Sequence, residues 1–242
     1  MLVGLLGHHI GYSASPAMQN AGFRAAGLTE WTFELFDVAP EELPQAVSAL
    51  RLAGRAGANV TIPHKLAVMP LLDELEPLAA EAGAVNLIRR DGERLVGGNT
   101  DIAGVEVALK EVGWNGGRAL ILGRGGSAKA AAVALRGSEV EMVGRDRWDQ
   151  RGELSRAADL VVNCTPLGRD GESVIRPADL PRRAVIDLVY VRGGTPLVAA
   201  ARAAGLPASD GWTILLAQGA ASFNAWTGLA APVEAMREAL AR

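Results

Sequence analysis

The chain has 242 residues, 24 of them Lys or Arg and 27 Asp or Glu, for a formal net charge of −3. Hydrophobic residues make up 49% and charged residues 21%, which excludes a disordered chain, and no basic stripe points to a nucleic-acid partner. A single cysteine, Cys164, excludes a disulfide framework and a multi-cysteine metal site; it suits a reducing cytosol, so a cytoplasmic protein of one or two domains is expected. The 29 glycines have no three-residue period and announce tight turns and close backbone approaches.

In chain order, Met1–Gly7 is apolar but lacks a basic flank and is broken by Gly, so it reads as a buried strand, Leu2–Leu6, rather than a signal peptide. Pro16 opens a helix over Ala17–Ala26 with Ser15 as its N-cap. Thr32–Val38 reads as a strand, and Pro40-Glu-Glu-Leu starts a helix running to about Leu52 with acids in its first turn. Gly57–Ile62 is a strand ended by Pro63, and Lys65–Leu72 and Pro77–Ala82 read as helices. Ala84–Arg89 and Arg94–Gly98 bracket Asp91-Gly92 as a hairpin. A helix over Ile102–Val112 leads into the second half.

There, the strand Arg118–Gly123, a glycine turn and the helix Ala128–Arg136 make a βα opening, followed by the strand Glu139–Val143. Leu160–Cys164 and Ala184–Val189 are unalternating apolar runs, as buried parallel strands are, and Pro196–Ala204 is helical. Gly211 to Val233 carries no charge, but Gln218, Ser222 and Asn224 argue against a membrane span. Alternating strands and helices predict an α/β fold with mostly parallel sheets.

The turn Gly123-Arg124-Gly125-Gly126-Ser127-Ala128 follows a strand and opens a helix, the setting in which a backbone can approach a pyrophosphate and a helix N-terminus can face it. Past the next strand stands Gly144-Arg145-Asp146-Arg147. Its arginines could hold a 2′-phosphate, whereas Asp146 could accept from a 2′-hydroxyl or repel a phosphate. Asn59-Val-Thr61-Ile-Pro-His-Lys65 places polar side chains at a strand end, where α/β sheets bind ligands. His8, His9 and His64 lack metal-ligand spacing, so no metal is expected.

Together these segments resemble the shikimate dehydrogenase family and its quinate/shikimate relatives, in the family's order over nearly the whole chain. The matching stretches are Gly11-Tyr-Ser-Ala-Ser-Pro16 with Asn20, Asn59–Lys65, Gly83-Ala-Val-Asn86, Gly98-Asn-Thr-Asp101 and the Gly123 turn. They continue with Asn163-Cys-Thr-Pro-Leu-Gly168, Asp187-Leu-Val-Tyr190, and Gly211 to Gln218 with Phe223, Trp226 and Gly228. The resemblance implies two α/β domains with the active site in the cleft between them. The substrate-binding catalytic domain would take residues 1–103 with 214–242, and a shortened Rossmann-like NADP-binding domain residues 104–213.

The implied reaction is reversible hydride transfer between NADPH and the ring ketone of 3-dehydroshikimate, giving shikimate on the route to chorismate and the aromatic amino acids. Lys65 and Asp101 are implied as catalytic: an ammonium there can donate to the ketone and give a proton as the alkoxide forms. Ser13 and Ser15 are implied for the substrate carboxylate, with Asn59, Thr61, Asn86, Tyr190 and Gln218 for the remaining polar groups. Cofactor contacts are implied from Gly123 to Ala128, Arg145, Asp146, Asn163, Thr165, Pro166, Leu188 and Gly211. The chain is expected as a monomer or homodimer.

The chain departs from the family's pattern at Gln19, where His is usual, at Gly144-Arg145-Asp146, where Asn-Arg-Thr is usual, and at Ile214, where Met is common. The link from Asp146 to Ala158 is too short for a helix, a strand and a further helix, so the adenosine side is trimmed. Two alternatives remain: a quinate or aminoshikimate dehydrogenase using NAD, and a catalytically weak shikimate-binding relative.

Overall fold

A computed structural model describes residues 1–241. The first half runs β1 (Leu2–Gly7), α1 (Ser15–Ala25), β2 (Thr32–Asp37), α2 (Leu43–Ala49), β3 (Gly57–Val60), β4 (Glu74–Leu75), α3 (Pro77–Ala82), β5 (Leu87–Asp91) and β6 (Arg94–Gly98). It continues with α4 (Asp101–Glu111), β7 (Arg118–Leu122), α5 (Gly126–Ala134), β8 (Glu139–Val143), α6 (Arg151–Ala157), β9 (Leu160–Asn163) and β10 (Ala184–Asp187). The end of the chain forms α7 (Pro196–Ala203), β11 (Ala208–Ser209), α8 (Gly211–Thr227) and α9 (Val233–Ala241).

Three local expectations are corrected. Ser15 is not the N-cap of α1: that position is Ala14, whose carbonyl takes the Met18 amide at 3.2 Å, and the Ser13 hydroxyl accepts the Ser15 amide at 3.2 Å. The helix expected over 40–52 is split, with a 3₁₀ turn at Pro40–Glu42 and α2 after it. Pro44 has no amide to continue the ladder between them. Lys65–Leu72 is a run of turns ending in a 3₁₀ turn at Met69–Leu71. Its start cannot propagate because the Lys65 carbonyl is taken by the Val85 amide at 2.8 Å, while the Met69 amide turns to Leu66. The uncharged stretch 211–233 is α8, the loop after it and the first residue of α9, and no helix among the described residues is long and apolar enough to cross a membrane.

The elements form a six-stranded sheet of order β2-β1-β3-β5-β6-β4 and a five-stranded sheet of order β11-β10-β9-β7-β8. In the first, β1 is parallel to β2 and β3, and β5 is antiparallel to β3 and β6, with Asp91 opposite Arg94 at the tip of the hairpin. The second is parallel throughout. Its strands carry apolar side chains on both faces, as a parallel sheet covered on both sides requires. Ala119, Ile121, Leu160, Val162 and Ile186 pack with residues of α4 and α5, and Leu120, Leu122, Val161 and Val185 pack with Leu197 and Ala201 of α7.

The chain divides into two units, Met1–Thr100 with the stretch from Leu216 onward, and Asp101–Leu215. In the first unit α1 lies against α9 and β2, and Phe23 stacks on Phe223 with ring centroids 5.3 Å apart. In the second, the chain turns to opposite sides of β7 after that strand and after β8, so β7 and β9 flank a topological switch point. Between β8 and β9 the chain makes only a 3₁₀ turn, Arg145–Gln150, and α6, so β8 is an edge strand.

Candidate active site

In the first unit, the loops after β3 and before β5 are tied together. The Val60 amide donates to the Asn86 carbonyl at 2.8 Å, and the Asn86 amide to Gly98 at 3.1 Å. Asn86, 2% exposed, grips the end of β6: its Oδ1 accepts the Thr100 amide at 2.6 Å and its Nδ2 donates to the Thr100 hydroxyl at 3.0 Å. The Thr100 and Ser222 hydroxyls are 3.0 Å apart, and Asn59 Nδ2 donates to Ser222 Oγ at 2.8 Å. Ser222 in turn donates to the Gln218 carbonyl at 2.9 Å. That bond uses the Ser222 proton, so the Thr100 hydroxyl, whose oxygen accepts from Asn86 Nδ2, shares its one proton between Ser222 Oγ at 3.0 Å and Asn86 Oδ1 at 3.2 Å. The network brings Asn59, Asn86 and Gln218 together.

Thr100 and Ser222 were not among the candidates from sequence. Thr100 stands inside the quoted Gly98–Asp101 motif, but nothing in the sequence marks Ser222 as the hub between two strands and a helix. Thr61 and Ser13 are half-buried, Ser15 is 6% exposed, and Lys65 is 9% exposed, next to the buried His64, which bonds the Val38 carbonyl at 2.7 Å. Gln19 donates through Nε2 to the Gly219 carbonyl at 2.9 Å, and its buried Oε1 has no donor among the described residues.

The second unit holds Asp101, Tyr190 and all the cofactor candidates. Asp101 is the first residue of α4 and is 7% exposed. Gly123 has φ +114°, a conformation glycine adopts without strain, and a Cβ there would sit 3.4 Å from the Cys164 backbone. The glycine turn thus lies against the Asn163–Gly168 loop across the switch point. Above Gly125 there is open space, and α5 starts at Gly126 with no side chain capping its amides. A backbone turn whose helix start is uncapped by any side chain fits the pyrophosphate of a dinucleotide. Ser127 and the buried Ala128 lie in the helix's first turn.

Asn163 is fully buried and spends all its polar capacity internally. Its Nδ2 donates to the Leu167 carbonyl at 3.0 Å and to Asp187 at 2.9 Å, and its Oδ1 accepts the Thr165 amide and hydroxyl at 3.1 and 2.7 Å. It shapes the loop that carries Thr165 and Pro166. Asp187 also accepts from the Val189 amide at 3.0 Å and the Thr195 hydroxyl at 2.7 Å. Burial pushes its carboxyl up to about 6 despite the opposing pull of those donors, and the Asp210 charge adds to the rise. Past Asp187, Leu188 donates to the Asn163 carbonyl at 3.0 Å, and Tyr190 packs on Trp212 with centroids 5.0 Å apart. A Cβ on Gly211 would meet the Leu188 carbonyl at 2.6 Å, so only glycine lets α8 begin there.

At the outer end of the glycine turn, Arg124 donates to Asp146 at 3.0 Å, and Arg147 donates to Glu141 at 2.9 Å. Burial works against the Glu141 carboxylate, but Arg118 and Arg147 more than offset it and hold its pKa below the ordinary value. Arg145 is exposed and has no ion-pair partner among the described residues. No group of three or more metal-ligating side chains occurs among the described residues.

Two family models match the chain: the shikimate dehydrogenase substrate binding domain over residues 5–88, and the shikimate 5′-dehydrogenase C-terminal domain over residues 211–241. The chain is 39% identical to a shikimate dehydrogenase (NADP(+)) of Symbiobacterium thermophilum, over 98% of this chain and 92% of the relative. Its structure is similar to the crystal structure of shikimate 5-dehydrogenase from Thermus thermophilus in complex with NADP(H) and shikimate, with a TM-score of 0.90, 35% identity, and 100% and 99% of the two chains covered. It is also similar to quinate dehydrogenase from Corynebacterium glutamicum in complex with NAD, with a TM-score of 0.86, 30% identity, and 100% and 98% covered.

Proposed function

The chain belongs to the shikimate dehydrogenase family, and from that membership we propose that it reduces 3-dehydroshikimate reversibly to shikimate with NADP(H). The observation that carries this reading is the buried network of Asn59, Asn86, Thr100 and Ser222. It is a preformed set of polar groups of the kind that discriminates a small polyol, since a mismatched buried polar group costs about 1–3 kcal/mol.

In the proposed mechanism, NADP(H), when bound, supplies or removes the hydride. The Lys65 ammonium donates a hydrogen bond to the reacting ketone oxygen and gives up a proton as that oxygen becomes a hydroxyl; in the reverse direction its amine takes the proton back. Asp101 keeps that ammonium oriented. Ser13 and Ser15 donate hydroxyl hydrogen bonds to the substrate carboxylate, supported by a Ser15 side chain that is buried yet not used to cap α1. Asn59, Thr61, Asn86, Gln218 and Tyr190 hold the ring's remaining polar groups. The amides from Gly123 to Ala128 would hold the pyrophosphate, Arg145, with Asp146 beside it, would lie at the 2′ side of the adenosine, and Thr165, Pro166, Leu188 and Gly211 would wall the nicotinamide end. Asn163 contributes by holding its loop in shape. A cytoplasmic monomer or homodimer completes the proposal.

The test is the initial rise in reduced-nicotinamide absorbance with shikimate and either NADP⁺ or NAD⁺, for the natural chain and for Lys65→Met. A rate with NADP⁺ that falls by about 10²–10⁴ in Lys65→Met, with shikimate binding retained, is expected. No rate with either cofactor while shikimate binds would leave a ligand-binding protein instead. A preference for NAD⁺ would make quinate the substrate to test next.

A further inference from the structure

The adenosine end of the cofactor site contains a device that the sequence pattern alone does not reveal. Gly144 has φ −100° and ψ −167°, ordinary extended backbone that any residue adopts, so its conformation does not call for glycine. Its surroundings show what the missing side chain leaves room for. A Cβ at this position would lie 2.9 Å from Cδ and 3.2 Å from Nε of Arg124, and 2.8 Å from Oδ1 of Asp146. The Arg124 side chain therefore lies across Gly144, in the space a side chain there would fill. Its far end is fixed: Nη1 donates to Asp146 Oδ2 at 3.0 Å, and Nη2 reaches the Met142 carbonyl at 3.4 Å. A residue from the glycine turn after β7, a gap after β8 and an acid two residues further on form one unit.

The charges around it are partitioned. Glu141 takes Arg118 and Arg147, and Glu139 also faces Arg118. Arg145, the chain neighbour of Gly144, has no ion-pair partner among the described residues. Asp146 is compensated by Arg124, and both are about half exposed, at 56% and 48%. A 2′-phosphate carries up to about two negative charges and accepts planar guanidinium donors well, so it can displace an exposed carboxylate from an arginine. A 2′-hydroxyl cannot.

We propose that Arg124, laid across Gly144 and tethered by Asp146, is a specificity-determining residue that joins Arg145 in holding a 2′-phosphate, with Asp146 serving as its resident counter-ion rather than as a ribose ligand. This rests on the NADP(H) reading above and deepens it. Asp146 and Gly144 are positioning residues, acting through Arg124.

The experiment titrates the full-length protein with adenosine 2′,5′-bisphosphate and with 5′-ADP by calorimetry, so the readout is independent of turnover. The natural chain is expected to bind the bisphosphate more tightly. Arg124→Ala should weaken the bisphosphate by about tenfold while leaving 5′-ADP within about twofold, the loss of one charge-assisted contact. Gly144→Ala, which alters no charge but claims the space under Arg124, should lower the ratio in the same direction. If the natural chain prefers the bisphosphate and Arg124→Ala keeps that ratio or weakens both fragments alike, this assignment is overturned while the cofactor reading stands. If the natural chain shows no preference for the bisphosphate, the NADP(H) reading itself falls, and this assignment with it.

Discussion

The two ends of the machinery are built by opposite means. On the proposed substrate side Asn59, Asn86, Thr100 and Ser222 are buried, bond one another, and are all neutral. At the adenosine end Arg124, Arg145, Asp146 and Arg147 are exposed or half-exposed and held by ion pairs that solvent can replace. A buried neutral network is strict, because any mismatch leaves a polar group without water. An exposed charge cluster is permissive, because each pair contributes only about 0–1 kcal/mol and can be traded. Under the proposed function, substrate choice would lie in the core of one unit and cofactor choice on the rim of the other.

Substitutions can break this contrast at several strengths. The largest effect is expected at Asp101→Asn, which keeps size and removes charge: kcat should fall by about 10³ with shikimate affinity changed only slightly, and steady-state kinetics with an equal loss in KM would contradict an orienting role. Next is Asp187. Its folded pKa of about 6 lies above the value of 3.8 for an unperturbed carboxyl. The folded state therefore holds the proton longer, a stabilisation complete below about pH 4 and lost as pH rises through about 6. The difference amounts to about 3 kcal/mol. Urea unfolding at pH 4.5 and 7.5 should show this decline, and Asp187→Asn should flatten it; an unchanged slope would assign the pH dependence elsewhere.

Ser222→Ala removes the hub of the buried network and takes one partner each from Asn59 Nδ2 and the Thr100 hydroxyl, which keep only their bonds to Asn86. A loss of about 2 kcal/mol in denaturant stability is expected, with a raised KM for shikimate. A stability within experimental error of the natural chain would show that water replaces the hydroxyl. The smallest effect belongs to Arg147→Ala, which breaks a part-buried pair with Glu141 near the surface: about 1 kcal/mol or less, reduced at high salt in a thermal melt.

Much of this was legible in the sequence because local chemistry dictated it. Asp91-Gly92 could only be a tight turn, Gly123 to Gly126 could only be a strand-to-helix cradle, and unalternating apolar runs marked the parallel strands. The misread segments are those where a distant partner decides. Lys65 cannot start a helix because Val85, 20 positions on, claims its carbonyl. Ser15 is displaced from the cap by the Ser13 hydroxyl. Ser222 has no motif, since its importance comes from three partners that only folding assembles. The Arg124–Asp146 pair lay in plain view as two residues of quoted motifs, yet the reason for Gly144 between them is purely spatial.

The link between β8 and β9, a 3₁₀ turn and α6 only, leaves β8 at the edge where a second copy of the chain could meet it. With no strand beyond it, β8 presents a row of backbone amides and carbonyls to solvent, the kind of edge onto which another polypeptide can hydrogen-bond. Here the edge carries Glu139 and Glu141 at alternate positions, with Arg118 and Arg147 folded over them. A second β8 laid alongside would bring two rows of glutamates together and strip water from four guanidinium groups. A charged edge of this kind disfavours continuation of the sheet by a second copy.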